Sequence, residues 1–181
     1  RHQSGLESAI LTYAARGTLI FGVCGGYQML GQSVSDPGGV EAAGVTQIRG
    51  MGLLPMDTVF HGEKVQTQTK GVFSGVAGLL SGLNGLAYTG YEIHMGRSQA
   101  QLPPLTGSGN VYGSYVHGVF DAPGVADAIL QALCKKRGLD VSVLGAFDAA
   151  AYKTQQYDLL ADAVRAGLDM DLVYRALRRE I

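Results

Sequence analysis

Thr18 to Gly31 reads T-L-I-F-G-V-C-G-G-Y-Q-M-L-G, and its two halves require different backbones. Thr18 to Val23 is a short apolar, β-rich run of the kind that makes a fully buried strand. Cys24 follows at once, then Gly25 and Gly26, then Tyr27, Gln28, Met29 and Leu30, which are adequate helix formers. A strand that passes through a single residue into a helix is a nucleophile elbow. Glycine is expected on both sides of Cys24 because the turn is tight and neighbouring backbones approach closely. A thiol there sits at a helix start, where orphan N–H groups and the dipole favour the thiolate. The alternative is a buried cysteine at a strand end, a common place for this residue type.

Working outward, Leu6, Ile10 and Tyr13 lie near helical spacing over Leu6 to Ala15, and Arg16-Gly17 supplies a C-terminal stop. The order helix, strand, elbow, helix is half of a βαβ unit and predicts a parallel sheet. Downstream, Ser33 to Gly39 reads as turn, and Gly44 to Pro55 as loop with a short strand. Thr58 to Phe73 reads as strand, turn at His61-Gly62-Glu63, then strand. Leu79 to Leu86 is ambiguous. Ala87 to Met95 is predicted as a strand with Tyr91, Ile93 and Met95 on one face and Glu92 and His94 on the other. Gln99 to Asn110 reads as loop, and Val111 to Val116 as a strand ending in His117-Gly118. Gly124 to Lys136 is an amphipathic helix. Tyr157, Leu160 and Val164 mark another, stopped by Gly167, and Asp169 caps a last one.

Bulk properties bound the function. The 181 residues suit one domain with a proper core, predicted over 1–181. A net charge of −1 gives no electrostatic case for nucleic acid or an anionic membrane. No apolar run reaches the roughly 20 residues of a membrane span. Two cysteines, one of them at an elbow, point to a reducing cytoplasm rather than a disulfide framework.

The thiol needs a base, and the histidines are few. His117 ends a strand before a glycine, where α/β sheets present catalytic groups; the alternative is a strand-end histidine bonded to a nearby loop. His94 shares a face with Glu92, which fits a polar site or a structural pair. His61 lies in a polar turn and His2 near the start of the chain. No spacing fits a metal site. Gln28 lies one helical turn after Cys24, so both can face one cleft; the alternative is an exposed helical glutamine. Gly25 N–H, just after the nucleophile, is a natural oxyanion donor. Cys134, beside Lys135 and Lys136, reads as packing. Tyr112, Tyr115 and Phe120 fit a cleft lining or, more simply, a core.

G-V-C-G-G-Y-Q-M-L-G resembles the nucleophile motif of class I, triad-type glutamine amidotransferases. Gly90 to Arg97, G-Y-E-I-H-M-G-R, and Gly113 to Asp121, G-S-Y-V-H-G-V-F-D, narrow the resemblance to the amidotransferase domain of the cobyric acid synthases. It runs over nearly the whole chain, including Tyr152 to Leu160. The resemblance implies an α/β, flavodoxin-like fold with a largely parallel central sheet flanked by helices. In that family an upstream strand and a glycine-rich loop contribute to the oxyanion hole, so the chain is expected to be a fragment truncated at the domain's N-terminal edge.

The same resemblance implies that Cys24 is the nucleophile and His117 its base, with Gln28 and Gly26 binding the substrate glutamine. Ordinary class I enzymes carry a glutamate two residues after the histidine. Val119 stands there, a departure shared with the cobyric acid synthase branch, and a thiol needs less activation than a hydroxyl. Asp121 and Glu92, with His94 beside it, are accessory candidates; Asp121 would otherwise cap the next helix. The implied partners are glutamine, a corrin and an N-terminal synthetase domain absent from this chain. ATP and magnesium are expected in that domain, since no G-x-x-x-x-G-K-[ST] occurs here. Alternatives are the amidotransferase of a cell-wall isoglutaminyl synthase, a cysteine-dependent α/β-hydrolase and a non-catalytic binding domain.

Overall fold

The computed structural model describes residues 5–41, 44, 46–98, 103–143 and 148–180. The chain forms two compact units, residues 1–145 and 146–181. In the first unit the order is α1 (Leu6–Ala15), β1 (Ile20–Val23), α2 (Gly25–Leu30), β2 (Ser33–Ser35), β3 (Gln47–Arg49), β4 (Asp57–Val72), β5 (Ala87–Arg97), β6 (Thr106–Ser108), β7 (Val111–Ser114) and α3 (Val125–Arg137). Short 3-10 turns occupy Gly78–Leu83, Val119–Asp121 and Val141–Val143.

The predicted helix–strand–elbow–helix order is present. α1 stops where predicted: Gly17 takes a φ of 75°, and the N–H groups of Gly17 and Thr18 return to the Ala14 and Tyr13 carbonyls. β1 then runs parallel to β7, Ile20 opposite Val111 and Val23 opposite Ser114, which is the parallel pairing the elbow implied. β6 lies antiparallel on the far side of β7, giving the order β1-β7-β6. The second sheet has the order β3-β2-β4-β5, with β2 and β4 parallel and its other pairs antiparallel. Both sheets are therefore mixed, within an α/β architecture.

Three local readings change. The turn predicted at His61-Gly62-Glu63 is instead part of a continuous 16-residue strand, β4. Its register against β5 shifts between Phe60 and Val65, and this bulge absorbs the polar residues that read as a turn. Ser33–Ser35 and Thr106–Ser108 become strands because β3 and β4, and β7, offer them backbone partners; of the predicted 99–110 loop, residues 99–102 lie outside the described residues. Asp121 does not cap α3. It closes the 3-10 turn after His117, and Gly124, with a φ of 79°, occupies the cap position.

α2 is held by close packing. A Cβ on Gly22 would lie 2.8 Å from the Gly26 carbonyl carbon and from Leu30 Cδ1, and one on Gly113 would lie 1.9 Å from the Tyr27 ring. Tyr27, 1% exposed, meets Tyr115 edge-on at a centroid distance of 5.1 Å, a geometry worth about 0.5–1.5 kcal/mol beyond area burial. Burial also pushes the Tyr27 hydroxyl above its ordinary pKa, so the ring stays neutral in the core. Gly25 and Gly26 differ from expectation: a Cβ on either would meet nothing within 4 Å. Crowding at the elbow falls on Gly22, and the space above Gly25 and Gly26 is open.

The second unit is a pair of helices, α4 (Ala149–Gly167) and α5 (Met170–Leu177). Asp148 accepts from Ala151 N–H at 2.9 Å and Asp169 from Leu172 N–H at 3.0 Å, caps worth about 1 kcal/mol each. Tyr157, Leu160, Leu172 and Leu177 are exposed. No helix among the described residues is long and apolar enough to cross a membrane.

Candidate active site

Cys24 sits between β1 and α2 with φ 52° and ψ −113°. Among the described residues only Arg179 shares a positive φ without being glycine. Such a backbone costs on the order of 1–3 kcal/mol and persists only where its surroundings over-determine it. Here they do. Cys24 N–H donates to the Ser114 carbonyl at 2.9 Å, and Gln28 N–H donates to the Cys24 carbonyl at 3.0 Å. The strand end and the first turn of the helix thus pull on the same residue, and the thiol is turned out toward β5, donating to the Ile93 carbonyl at 3.5 Å.

His117 reaches the same strand from β7. Ser114 Oγ accepts from Val116 N–H at 3.0 Å and donates to the Pro104 carbonyl at 2.5 Å, which fixes the bend after β7. His117 then exchanges backbone hydrogen bonds with Tyr91, donating at 2.8 Å and accepting at 3.2 Å. Its ring stacks on that of Tyr91 with centroids 5.0 Å apart and planes within 5°. Nε2 is buried and has no hydrogen-bond partner among the described residues. Tyr91 and Ile93 are two residues apart, about 7 Å of strand, so the Cys24 thiol and the His117 ring border one short stretch of the free edge of β5.

β5 can be approached so closely because of two glycines. A Cβ on Gly90 would lie 2.1 Å from the His117 carbonyl oxygen. One on Gly96 would lie 2.6 Å from Gln28 Nε2. Gln28 is accordingly 6% exposed, which excludes the exposed-glutamine reading and sets its amide against β5. Gly25 and Gly26 are exposed beside the thiol.

The other candidates separate. Glu92 and His94 form a pair, Oε2 to Nε2 at 3.3 Å, on the face of β5 away from Tyr91. His94 Nδ1 faces the Gly96 carbonyl at 2.6 Å, and its ring stacks on Tyr115 at 3.9 Å. Tyr115 continues to Ser98, and Ser98 to Thr58 at 2.6 Å, so His94 belongs to a buried polar chain. Asp121 N–H donates to the Gly118 carbonyl at 2.9 Å, placing it one turn beyond His117. Val119 is 2% exposed and packs in the core. Tyr112 is core as well, its hydroxyl accepting from Leu80 N–H at 3.0 Å and donating to the Ala77 carbonyl at 2.6 Å. Phe120 is 40% exposed, edge-on to Phe21.

A groove of about 500 Å³ lined by Gln66, Thr67, Gln68, Gly90, Tyr91 and Ile93 adjoins the pair. A larger cavity, about 770 Å³, lies beside α3 and includes neither Cys24 nor His117; its size gives it no chemistry. Among the described residues no group of three His, Cys, Asp or Glu is disposed to hold a metal ion. Sequence reasoning missed Tyr91 and Gly90 as site residues. A glycine inside a strand is the available signal, since it marks a close backbone approach.

A family model described as a CobB/CobQ-like glutamine amidotransferase domain matches residues 1–125. The chain is 44% identical over 204 aligned residues to a cobyric acid synthase of Lachnoclostridium phytofermentans, covering 99% of the chain and 39% of that relative. It is 42% identical to a cobyric acid synthase of Ruminiclostridium cellulolyticum, covering 99% and 38%. A probable cobyric acid synthase of Methanocella arvoryzae is 38% identical, with coverage of 98% and 36%. The chain therefore spans less than two fifths of the length of these curated relatives.

Proposed function

Because the chain belongs to the CobB/CobQ-like glutamine amidotransferase domain family, we propose that Cys24 and His117 together release ammonia from glutamine. The observation that carries this reading is the shared edge of β5: the Cys24 thiol donates to Ile93, and His117, bridged to Tyr91, keeps Nε2 buried and without a partner. A base with an unused nitrogen and a thiol on a strained backbone, both set on one strand edge, are what acyl transfer from an amide needs.

His117 takes the Cys24 thiol proton, the resulting thiolate attacks the side-chain amide carbon of glutamine, and the carbonyl oxygen takes the negative charge. Gly25 N–H, the first donor after the nucleophile, faces that oxygen. His117 gives a proton to the nitrogen as the carbon–nitrogen bond breaks, releasing ammonia and leaving a glutamyl thioester. Water then attacks the thioester, His117 takes the water proton, and glutamate departs with the thiolate restored. Gln28 and Gly26 bind the glutamine: Gln28 sets its amide into the cleft wall, and Gly26 leaves room above α2. Residues 1–181 act as one amidotransferase domain, because its relatives match 98–99% of the chain.

The resemblance to the cobyric acid synthases supplies the acceptor. The ammonia amidates peripheral carboxylates of a corrin after activation by ATP with magnesium. That activation belongs to an ATP-dependent synthetase domain outside these residues, since the chain spans only 36–39% of the length of the cobyric acid synthases it matches.

Two results are expected. A glutamine-analogue electrophile should label Cys24 well ahead of Cys134, although both are free and partly buried. Peptide mapping measures this, and equal labelling would refute an activated thiol at the elbow. Next, Glu92→Gln and Asp121→Asn should each lower glutaminase activity far less than His117→Ala, because Glu92 is occupied with His94 on the other face of β5. Steady-state glutamate release decides it. A loss in either amide variant matching that of His117→Ala would identify a carboxylate acting on His117 and contradict a two-residue mechanism.

A further inference from the structure

We propose that Tyr91 is the positioning residue for His117, holding the imidazole by a face-to-face stack where other enzymes of this type use a carboxylate. This rests on reading His117 as the general base. The carboxylate position itself is closed: Val119 is 2% exposed and belongs to the buried apolar cluster that also holds Val116, Val125 and Tyr88. What does touch the His117 ring is Tyr91, centroid to centroid at 5.0 Å with planes within 5°.

The stack is imposed by the backbone. Tyr91 and His117 exchange both hydrogen bonds of an antiparallel bridge, and such a pair keeps its Cα atoms about 5.5 Å apart. Two rings leaving opposite positions at that separation are close enough to interact, and here they lie flat against each other. Tyr91 is itself anchored, because β5 pairs with β4 on its other edge, Tyr91 opposite Gln68. Gly90 adds no side chain to push the strands apart, since any Cβ there would strike the His117 carbonyl. The imidazole is thus fixed in plane with Nε2 unused.

The aromatic face also does electrostatic duty. When His117 takes a proton it becomes a cation, and the negative face of the Tyr91 ring stabilises that charge. Both effects come from the flat ring and neither from the hydroxyl. Tyr91 is 48% exposed, so replacing it leaves the core undisturbed.

The experiment measures kcat and KM for glutamine hydrolysis by the protein carrying Tyr91→Phe, Tyr91→Trp or Tyr91→Leu, with His117→Ala as reference and thermal unfolding as a check on folding. Phe and Trp, which keep a ring face, should leave kcat close to wild type. Leu should lower kcat about 100-fold, the scale for a catalytic group misplaced by about 1 Å, with KM little changed. Should the Leu variant unfold, Tyr91→Met replaces it with the same expected loss. Full kcat in both aliphatic variants, or a Phe variant as impaired as Leu, would overturn the assignment. So would a rise in KM at constant kcat, which would make Tyr91 a wall of the adjoining groove. An active His117→Ala variant would sink the proposed function instead, and so is told apart from failure of the Tyr91 assignment.

Discussion

His117→Ala is expected to lower glutamine hydrolysis about 100- to 10,000-fold, the span that a positioned general acid–base contributes. The loss should be close to the upper end because both halves of the reaction pass through this ring: it protonates departing ammonia and then deprotonates water. Stability should change little. The ring is only partly buried, its Nε2 makes no hydrogen bond to any described residue, and the bridge to Tyr91 is formed by backbone atoms that alanine retains. Initial rates of glutamate release with a parallel thermal melt separate the two quantities. Activity within tenfold of wild type would remove His117 from the chemistry; a collapsed melting transition would make it structural.

The second large effect is expected at Gly90, through its backbone contact with the segment after β7. A Cβ at 2.1 Å from the His117 carbonyl oxygen and 2.6 Å from Val116 Cγ1 cannot be accommodated without moving β5 away from the segment after β7. Over-packing of this kind costs about 1–3 kcal/mol. The displacement also separates His117 from Cys24, and a shift of about 1 Å in a catalytic group costs about 100-fold in rate. Gly90→Ala should therefore fold and yet hydrolyse glutamine poorly. Gly82→Ala is the control, being an exposed glycine with nothing within 4 Å of its added Cβ. Equal activities in the two variants would show that the close approach at Gly90 does not position the site.

Where the chain signals locally, the sequence was readable. The elbow needs only an apolar run, a cysteine and a helix start, and those are contiguous. α1 declares its stop at Gly17, and Asp169 declares the start of α5, because caps are decided within one turn of chain. The second face of the site was not legible, for a physical reason. Tyr91 joins His117 through a bridge between residues far apart in the chain, and no periodicity reports such a contact. The bulge in β4 hid for the same reason: His61-Gly62-Glu63 has turn composition, and it is the pairing of Phe60 and Val65 on either side of it with β5 that carries the strand through. Short strands such as Ser33–Ser35 exist because neighbours complete them, not because their own propensity requires it.

Val119 illustrates the limit of motif reading. From sequence it is a missing glutamate. In the fold it is a core residue of the cluster that includes Val116 and Val125, so a carboxylate there would have to leave the apolar cluster or be buried at a cost of several kcal/mol. The site has a different solution on its other side, where β5 supplies a ring and two backbone groups.

The central claim is that Cys24 carries the glutamyl group. The most direct measurement is to mix the protein with glutamine, quench in acid during turnover, and map the acylated peptide by mass spectrometry. The expected result is a γ-glutamyl thioester on Cys24, released by hydroxylamine and absent from a Cys24→Ser variant. Glutamate production with no adduct on Cys24, or an adduct carried by Cys134, would contradict it.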